Sequence, residues 1–266
     1  MERRRSITPE EIEQFNQKKY EEDYSLSQIS LDRSKDREDF FGKLVQIKLA
    51  LLREYAAGKG VLDLGCGNGD YLFEIRDIVS SGKGIDYTDK AVLQAKIKRE
   101  KLGAVHLDFI KTNARALPFD NETFDLTFSF STLFYIPWVE EAIQEISRTL
   151  KSQGVAVLEL GNLWSLNTFV CRAYPEWAQP CHIKVSEMKR YFREAGFQIL
   201  QWRAFQILPY WGERPGWLRP LLHPFWKKFF QREIGGKMLD EWICHAGFLR
   251  PVAFRQLIVC RKRNDV

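Results

Sequence analysis

The sequence lacks the marks of several protein classes. Its 266 residues contain only five cysteines, which are widely spaced and form no Cys-x-x-Cys pair. Such thiols argue against a disulfide framework and favour a cytosolic protein with reduced cysteines. No apolar run approaches the roughly 18 residues of a membrane span, and no apolar stretch typical of a signal peptide follows the basic first residues. We therefore expect a cytoplasmic protein.

A strong charge bias is also missing. The chain has 40 basic and 35 acidic residues, a net charge of +5, and its basic residues do not gather into a long run. This balance does not by itself indicate nucleic acid, so no nucleic-acid partner is expected. Hydrophobic residues make up 45% of the chain, which is enough to build the core of one large domain.

The chain is organised around a glycine-rich stretch at 61–72. An apolar run that contains Asp63 comes first, three glycines follow at alternate positions, and a helical pattern begins after them. The glycines are Gly65, Gly67 and Gly69. The pattern predicts a strand, a tight turn and a helix N-terminus, which together bring backbone close to a bound nucleotide. Glycine suits such a turn because it lacks a Cβ and adopts positive φ at little cost.

The following residues alternate between strand-like and helical patterns. Strand-like runs cover 60–64, 82–87, 104–110, 123–131 and 154–160. Continuous apolar strands joined by helical crossovers predict an α/β fold with a doubly wound, mostly parallel sheet.

Beyond residue 161 this alternation ends. The patterns there predict a loop at 162–185, a helix at 185–196 capped by Ser186, and strands at 197–208 and 254–261. We therefore divide the chain into four segments, namely an N-terminal helical arm (1–57), a core (58–208), an insertion (209–251) and a last strand with a tail (252–266).

The N-terminal arm is strongly polar over residues 1–36, and Thr8-Pro9-Glu10-Glu11 has the residues of a helix start. Residues 38–57 carry apolar positions at helical spacing, which predicts a packing helix. Tyr20 and Tyr24 stand out in the polar part. They are either packing aromatics, or the arm folds over the nucleotide site and one of them contacts the ligand.

Polar residues follow the second and third predicted strands, where an open α/β sheet binds its ligand. Asp86 ends the second strand, about 20 residues after the glycine turn, and an acid there accepts the hydroxyls of a ribose. Its neighbour Tyr87 suits the face of an adenine ring. Asn113 and Ala114 follow the third strand, where a side-chain amide suits the adenine edge. Taken in order, these residues predict an adenosine ligand.

Charge narrows the choice of adenosine ligand. A dinucleotide fingerprint would place a third spaced glycine where this chain has Asp70, and an acid that faces a pyrophosphate is repulsive. The phosphate-loop pattern Gly-x-x-x-x-Gly-Lys-Ser/Thr is absent. Asp63 instead suits an ammonium group. The ligand that carries adenosine, an amino-acid ammonium and no phosphate is S-adenosylmethionine.

Residues 61–160 resemble the class I S-adenosylmethionine-dependent methyltransferases of the Rossmann-like superfamily. The likeness is carried by Val-Leu-Asp-Leu-Gly-Cys-Gly-Asn-Gly (61–69), Gly-Ile-Asp-Tyr-Thr (84–88), Asn-Ala-Arg-Ala-Leu-Pro-Phe (113–119), Phe-Asp-Leu-Thr-Phe-Ser (124–129), Ile-Ser-Arg-Thr-Leu-Lys-Ser-Gln-Gly (146–154) and Phe-Arg-Glu-Ala-Gly-Phe (192–197). The resemblance implies a seven-stranded, mostly parallel sheet whose last strand is antiparallel. It also implies S-adenosylmethionine as the methyl donor and S-adenosylhomocysteine as its product.

The resemblance also implies roles for single residues. By matching position, the glycine turn and Asp63 line the methionine end of the donor, Asp86 takes the ribose, and Asn113 meets the adenine. Many members carry Asp at the position of Asn113, but an amide oxygen can still accept the adenine amino proton. The predicted donor-binding residues are Asp63, Gly65, Gly67, Gly69, Asp86, Tyr87, Asn113, Ala114 and Phe130.

A hydroxyl acceptor needs a base near the reacting atoms. The candidates are Tyr135, after the fourth strand, and His182, just before the helix that leads to the sixth strand. Histidine titrates near neutrality and suits a base. The alternative for His182 is a solvated loop histidine.

Several acceptor classes lack their motifs here. Residues 129–132 read Ser-Phe-Ser-Thr, where amino methyltransferases carry Asp/Asn-Pro-Pro-Tyr/Phe. The metal-binding carboxylates of catechol-type enzymes and the paired glutamates of arginine methyltransferases are also missing. We therefore expect no catalytic metal and a small-molecule acceptor.

The insertion 209–251 mixes aromatic and basic side chains. It is a cap that completes the core, a lid over an apolar acceptor, or a segment that makes peripheral contact with a membrane. The function predicted is O-methylation of an apolar small molecule or natural product. The alternatives are methylation of a glycan or lipid-linked sugar at a membrane surface and a non-catalytic S-adenosylmethionine-binding protein. The oligomeric state stays open.

Overall fold

Strands and helices alternate along most of the chain, as predicted. The computed structural model describes residues 8–25 and 38–264. In chain order the elements are α1 (Pro9–Ser25), α2 (Phe40–Ala56), β1 (Gly60–Leu64), α3 (Asp70–Glu74), β2 (Ser81–Asp86), α4 (Asp89–Leu102), β3 (Leu107–Lys111), β4 (Phe124–Ser129), α5 (Val139–Thr149), β5 (Leu150–Gly161), α6 (Leu166–Cys171), α7 (Val185–Glu194), β6 (Phe197–Phe205), α8 (Arg219–Leu222), α9 (Pro224–Phe230), β7 (Glu233–Ile234), β8 (Lys237–Met238), α10 (Leu239–His245) and β9 (Arg255–Lys262).

Seven strands form one sheet in the order β3-β2-β1-β4-β5-β9-β6. β9 runs antiparallel to both of its neighbours, β5 and β6, and the other pairs are parallel. The predicted seven-stranded, mostly parallel sheet with an antiparallel last strand is confirmed. The strand order reverses between β1 and β4, and a crevice for ligands forms at the carboxyl ends of such strands.

Two hydrophobic layers cover the sheet. Alternation along β1 sends Val61 into the layer that holds α2, α3 and α4, and it sends Leu62 and Leu64 into the layer that holds α5 and α7. All three side chains are fully buried. The packing on both faces therefore fixes the carboxyl end of β1, where the glycine turn begins.

Two features of the chain after β5 differ from the sequence prediction. The segment predicted as a loop at 162–185 contains α6, whose N-cap Ser165 accepts the Thr168 N–H. Ser186 is not the cap of α7, because the N-cap is Lys184, whose N–H donates to the Glu187 carboxylate at 2.7 Å. A glutamate in the first turn thus satisfies the helix end in place of a serine hydroxyl.

The helix start predicted in the N-terminal arm is confirmed. The Thr8 N–H donates to the Glu11 carboxylate at 2.9 Å, and the Glu11 N–H donates to the Thr8 hydroxyl at 3.3 Å. α1 packs on α4, where the Gln94 amide donates to the Tyr24 carbonyl oxygen at 2.7 Å. Residues 1–7 and 26–37 of the predicted arm lie outside the described residues.

The segment 209–251 folds into α8, α9, the β7–β8 hairpin and α10, and it is anchored to the chain after β6. On α10 the buried Asp240 carboxylate accepts the Ile207 N–H at 3.0 Å and the Tyr210 hydroxyl at 2.7 Å. Phe230 and Met238 are buried as well. Within the described residues, no helix combines the length and the apolar character needed to cross a bilayer.

Candidate functional site

The turn after β1 requires glycine at alternate positions. Gly65, Gly67 and Gly69 have φ values of 76°, 54° and 80°. A Cβ on Gly65 would lie 2.1 Å from the Thr132 side chain, and one on Gly69 would lie 2.7 Å from Phe109. Positive φ and the lack of space both exclude a side chain here. The turn therefore forms a recess lined by backbone.

Hydrogen bonds hold the carboxylate of Asp86 against this turn. It accepts the Gly67 N–H at 3.0 Å, the Thr88 N–H at 3.0 Å and the Thr88 hydroxyl at 2.8 Å. Asp86 is 8% exposed, and burial raises the pKa of its carboxyl although these hydrogen bonds oppose the shift. The end of β2 and the turn after β1 are thus joined through one side chain.

The recess and Asp86 belong to one pocket, termed the donor pocket below. Predicted residues in its wall are Gly65, Asp86, Tyr87, Asn113, Ala114 and Tyr135. Asp63, Gly67 and Gly69 lie in the strand and turn that border it. The structure does not bring Phe130 to this wall, because its ring is buried in the core with its centroid 4.9 Å from that of Tyr71.

Helix α1 covers the donor pocket, and it contributes Glu13, Tyr20 and Tyr24 to the wall. The Arg115 guanidinium holds this helix by donating to both Glu13 carboxylate oxygens, at 3.0 and 2.9 Å. Of the two interpretations of the arm, the one in which it folds over the site agrees with the structure.

Asn113, the predicted adenine contact, is partly engaged by the protein itself. Its amide oxygen accepts the Arg115 N–H at 2.9 Å, and its amide nitrogen lies 3.4 Å from the Glu13 carboxylate. An amide oxygen has two lone pairs, so one remains for a ligand.

A second cavity, termed the acceptor cavity, opens beside the donor pocket. The two share Tyr20, Ser131 and Tyr135. Its wall is mostly aromatic and includes Phe41, Phe134, Tyr174, Trp177, Trp211 and Phe254. The wall also carries the polar side chains Lys48, His182 and Arg255. Tyr135 therefore lies at the boundary between the two predicted binding sites.

His182 packs in this wall and is not a solvated loop histidine. Its ring centroid lies 5.9 Å from that of Phe134 and 5.0 Å from that of Phe254. Burial, reinforced by the nearby Arg255 cation, lowers the pKa of His182 to about 3. The imidazole is therefore neutral near pH 7.

A hydrogen-bond chain sets the tautomer of His182. Its Nδ1 lies 2.7 Å from the Thr168 hydroxyl oxygen, and that hydroxyl donates to the Asn162 carbonyl oxygen at 2.7 Å. Since the hydroxyl proton is used, Nδ1 carries a proton and donates to Thr168. The lone pair of the neutral ring is consequently on Nε2.

Lys48, Glu159 and Arg255 form a buried ion cluster at the acceptor cavity. Glu159 accepts from Lys48 at 3.0 Å and from Arg255 at 2.8 Å. The Lys48 and Glu159 side chains are 1% and 0% exposed. Sequence reasoning missed this cluster. The available signal was a lysine within the apolar stripe of α2 and a glutamate within the apolar run of β5, because charges at such positions are usually paired.

Comparison with known proteins gives one consistent family. A profile of a methyltransferase domain matches residues 56–203. Demethylmenaquinone methyltransferase of Lactococcus lactis is 35% identical over 103 residues, which are 38% of this chain and 41% of that protein. The ubiquinone/menaquinone biosynthesis C-methyltransferase of Xylella fastidiosa is 31% identical over 159 residues, 58% of this chain and 51% of that protein. The matches thus span about half or less of these relatives.

Solved structures share the fold at low sequence identity. The protein solved in complex with the Trm112 methyltransferase activator of Haloferax volcanii has a TM-score of 0.62 and 18% identity, and the match covers 92% of this chain and 98% of that chain. Geranyl diphosphate C-methyltransferase from Streptomyces coelicolor, in complex with Mg²⁺, geranyl diphosphate and S-adenosyl-L-homocysteine, has a TM-score of 0.58 and 17% identity, with 84% and 80% covered.

Proposed function

Because the chain belongs to the methyltransferase domain family and is a class I S-adenosylmethionine-dependent methyltransferase, we propose that it methylates an apolar small molecule bound in the acceptor cavity. The supporting observation is that this cavity shares Tyr20, Ser131 and Tyr135 with the donor pocket. Much of the catalysis of methyl transfer comes from alignment of the two reactants, which adjoining sites provide. An aromatic wall favours an apolar or ring-containing acceptor.

The residues of the donor pocket fit the methyl donor. S-adenosylmethionine supplies an electrophilic methyl group on a positively charged sulfur. The recess at Gly65 is one that a Cβ would fill, and Asp86 offers a fixed carboxylate to a ribose. Asn113 keeps a lone pair for an adenine edge. We assign the remaining contacts to Asp63, Gly67, Gly69, Tyr87 and Ala114.

On the acceptor side, the chemistry of His182 favours an acidic hydroxyl. Its Nε2 lone pair accepts a hydrogen bond, but a pKa of about 3 makes the ring a weak base. The acceptor hydroxyl must therefore ionise readily by itself, as a phenol does, with His182 and Tyr135 placed to orient it. Methylation of this oxygen is our first candidate.

A second candidate is methylation of a ring carbon. The relative from Xylella fastidiosa is named as a C-methyltransferase of quinone biosynthesis. A phenolate is nucleophilic at ring carbons as well as at oxygen, so the same cavity suits both outcomes.

We also propose that an apolar acceptor reaches the cavity from a membrane surface. Phe169 and Trp217 have ring centroids 5.9 Å apart and are 42% and 69% exposed. They adjoin a small apolar cluster around Val170 and Leu218, whose member Trp211 also lines the acceptor cavity. Exposed aromatic rings suit the membrane interface.

The reaction is tested with ¹³C-methyl-labelled S-adenosylmethionine and a panel of phenols, apolar alcohols and lipid-linked sugars. We expect label in a phenolic or quinol-like product, and the methyl chemical shift in NMR separates an O-methyl from a C-methyl group. Label only in the sugars would replace this proposal by the glycan alternative. Tight donor binding in calorimetry without a labelled product in any arm would favour the non-catalytic alternative.

A further inference from the structure

Helix α1 packs on the protein mainly through one stripe of side chains. Asn16, Tyr20 and Tyr24 are spaced by four residues, so they lie on one side of the helix. Over residues 9–24, only Asn16 and Tyr24 are buried. The two tyrosines line the donor pocket. Because helices are held by tertiary packing more than by propensity, the docked position of α1 depends on this stripe.

Asn16 lies outside the walls of both cavities and links α1 to two loops. Its amide nitrogen donates to the Gln179 carbonyl oxygen at 2.9 Å and to the Tyr135 carbonyl oxygen at 3.2 Å. Its amide oxygen accepts the Gln179 N–H at 2.6 Å. Asn16 is 1% exposed, so these hydrogen bonds are shielded from water, and the side chain uses both of its N–H donors.

The segment 177–182, which Asn16 holds at Gln179, forms part of the acceptor cavity. The residues of this segment in the wall are Trp177, Ala178, Pro180 and His182. One side-chain amide pairs with both backbone groups of Gln179, much as a neighbouring strand would, and so fixes the middle of the segment. α1 therefore reaches the donor pocket with its tyrosines and the wall of the acceptor cavity with Asn16.

A donor beneath α1 stabilises the docked helix, because a ligand favours the conformation that it contacts. We propose that Asn16 is a positioning residue that transmits this docking to segment 177–182, so that donor binding sets the wall of the acceptor cavity. Donor and acceptor then bind cooperatively, and each raises the affinity for the other by the same factor. The consequence for the acceptor rests on the proposed function of the acceptor cavity, whereas the effect on segment 177–182 does not.

Hydrogen exchange followed by mass spectrometry measures the effect on the chain itself. Saturating S-adenosylhomocysteine, which has no methyl group to transfer, should slow exchange in both α1 and segment 177–182 of the wild type. In Asn16→Ala it should still slow exchange in α1 but no longer in segment 177–182. Gln14→Ala should behave as the wild type. It is the matched control, because Gln14 is exposed on the same helix and lies outside both walls.

Calorimetry with 2-naphthol as a phenolic probe measures the effect on the acceptor cavity. We expect S-adenosylhomocysteine to raise the 2-naphthol affinity of the wild type and of Gln14→Ala about tenfold. It should leave the 2-naphthol affinity of Asn16→Ala unchanged. A residue that only stabilised the fold would lower the melting temperature without removing this dependence on the donor.

The inference is overturned if S-adenosylhomocysteine leaves exchange in segment 177–182 of the wild type unchanged, a result that requires no variant. It is also overturned if Asn16→Ala keeps the donor-dependent protection of this segment, or if it loses the protection of α1 as well, because Asn16 would then only dock the helix. If 2-naphthol binds neither with nor without S-adenosylhomocysteine while the exchange results hold, the positioning role stands and the proposed use of the acceptor cavity fails.

Discussion

At the scale of single residues, Asp86 has two roles, because the carboxylate proposed to bind the ribose also holds the glycine turn. We predict that Asp86→Ala weakens S-adenosylmethionine binding roughly tenfold to a hundredfold, since hydrogen bonds to a charged group are each worth about 1.5–3 kcal/mol. Isothermal titration calorimetry measures the change. Asp89→Ala is the control, because the Asp89 side chain is 70% exposed and pairs with Lys111 at the surface. Unchanged donor affinity in Asp86→Ala would show that the ribose assignment is wrong.

The ion cluster predicts that two substitutions, each of which removes one charge, lower the free energy of unfolding by different amounts. Glu159→Gln removes the anion from between Lys48 and Arg255, and it should lower the free energy of unfolding by about 3–5 kcal/mol because it leaves buried cations uncompensated. Lys48→Met leaves a balanced pair and should change stability far less. Urea denaturation measures both values. Equal losses in the two variants would contradict this assignment of Glu159 as the anion between the two cations.

Glu159 also gives stability a characteristic pH dependence. Its pKa falls from 4.5 to about 2 on folding, because Lys48 and Arg255 outweigh the effect of burial. A carboxyl whose pKa is lower in the folded state than in the unfolded state stabilises the fold at pH values above the unfolded pKa. This contribution is lost as the pH falls from 4.5 to about 2. The difference in unfolding free energy between wild type and Glu159→Gln should therefore shrink over that range in urea titrations. A difference that is constant with pH would argue against an ionised Glu159.

At the scale of elements, substitutions at two glycines distinguish the effect of backbone strain from the effect of lack of space. Gly65 and Gly103 both have positive φ, but a Cβ on Gly103 meets nothing within 4 Å, whereas one on Gly65 meets Thr132 at 2.1 Å. We predict that Gly103→Ala costs only the left-handed strain of about 1–2 kcal/mol and binds donor normally. Gly65→Ala should lose donor binding in calorimetry, because the turn must move. Donor binding retained in Gly65→Ala would show that the recess tolerates a side chain.

Elements whose signals are local were predicted well from the sequence. β1, the glycine turn and Asp86 follow one another within 61–86, so strand pattern and spacing were enough. The acceptor cavity was not predictable in this way, because α2, α6, β9 and the chain after β6 meet only in the folded molecule. Glu159 and Arg255 likewise become neighbours through the pairing of β5 with β9, and Lys48 reaches them through the packing of α2 on the sheet. Phe130 was predicted as a donor contact, but packing against Tyr71 and Phe128 takes its ring into the core.

At the scale of the whole molecule, the proposed membrane contact predicts binding to vesicles. The chain has a net charge of +5, so we expect it to co-float with liposomes that contain anionic lipid. The double variant Phe169→Ser and Trp217→Ser should lose most of this binding, because these two rings form the proposed contact and are 42% and 69% exposed. Val105→Ser is the control, since Val105 is 89% exposed but precedes β3 at the other end of the sheet. Undiminished flotation of the double variant would exclude this surface.

The position of β9 also governs how the molecule is built during synthesis. β9 lies between β5 and β6, yet the ribosome makes both neighbours first. Until β9 emerges, β5 presents an unpaired edge, and such an edge in a nascent chain invites pairing with other chains. Arg255 arrives with this strand, so of the two described cations that pair with Glu159 only Lys48 is made before it. The wall of the acceptor cavity therefore lacks Arg255 until β9 has been made.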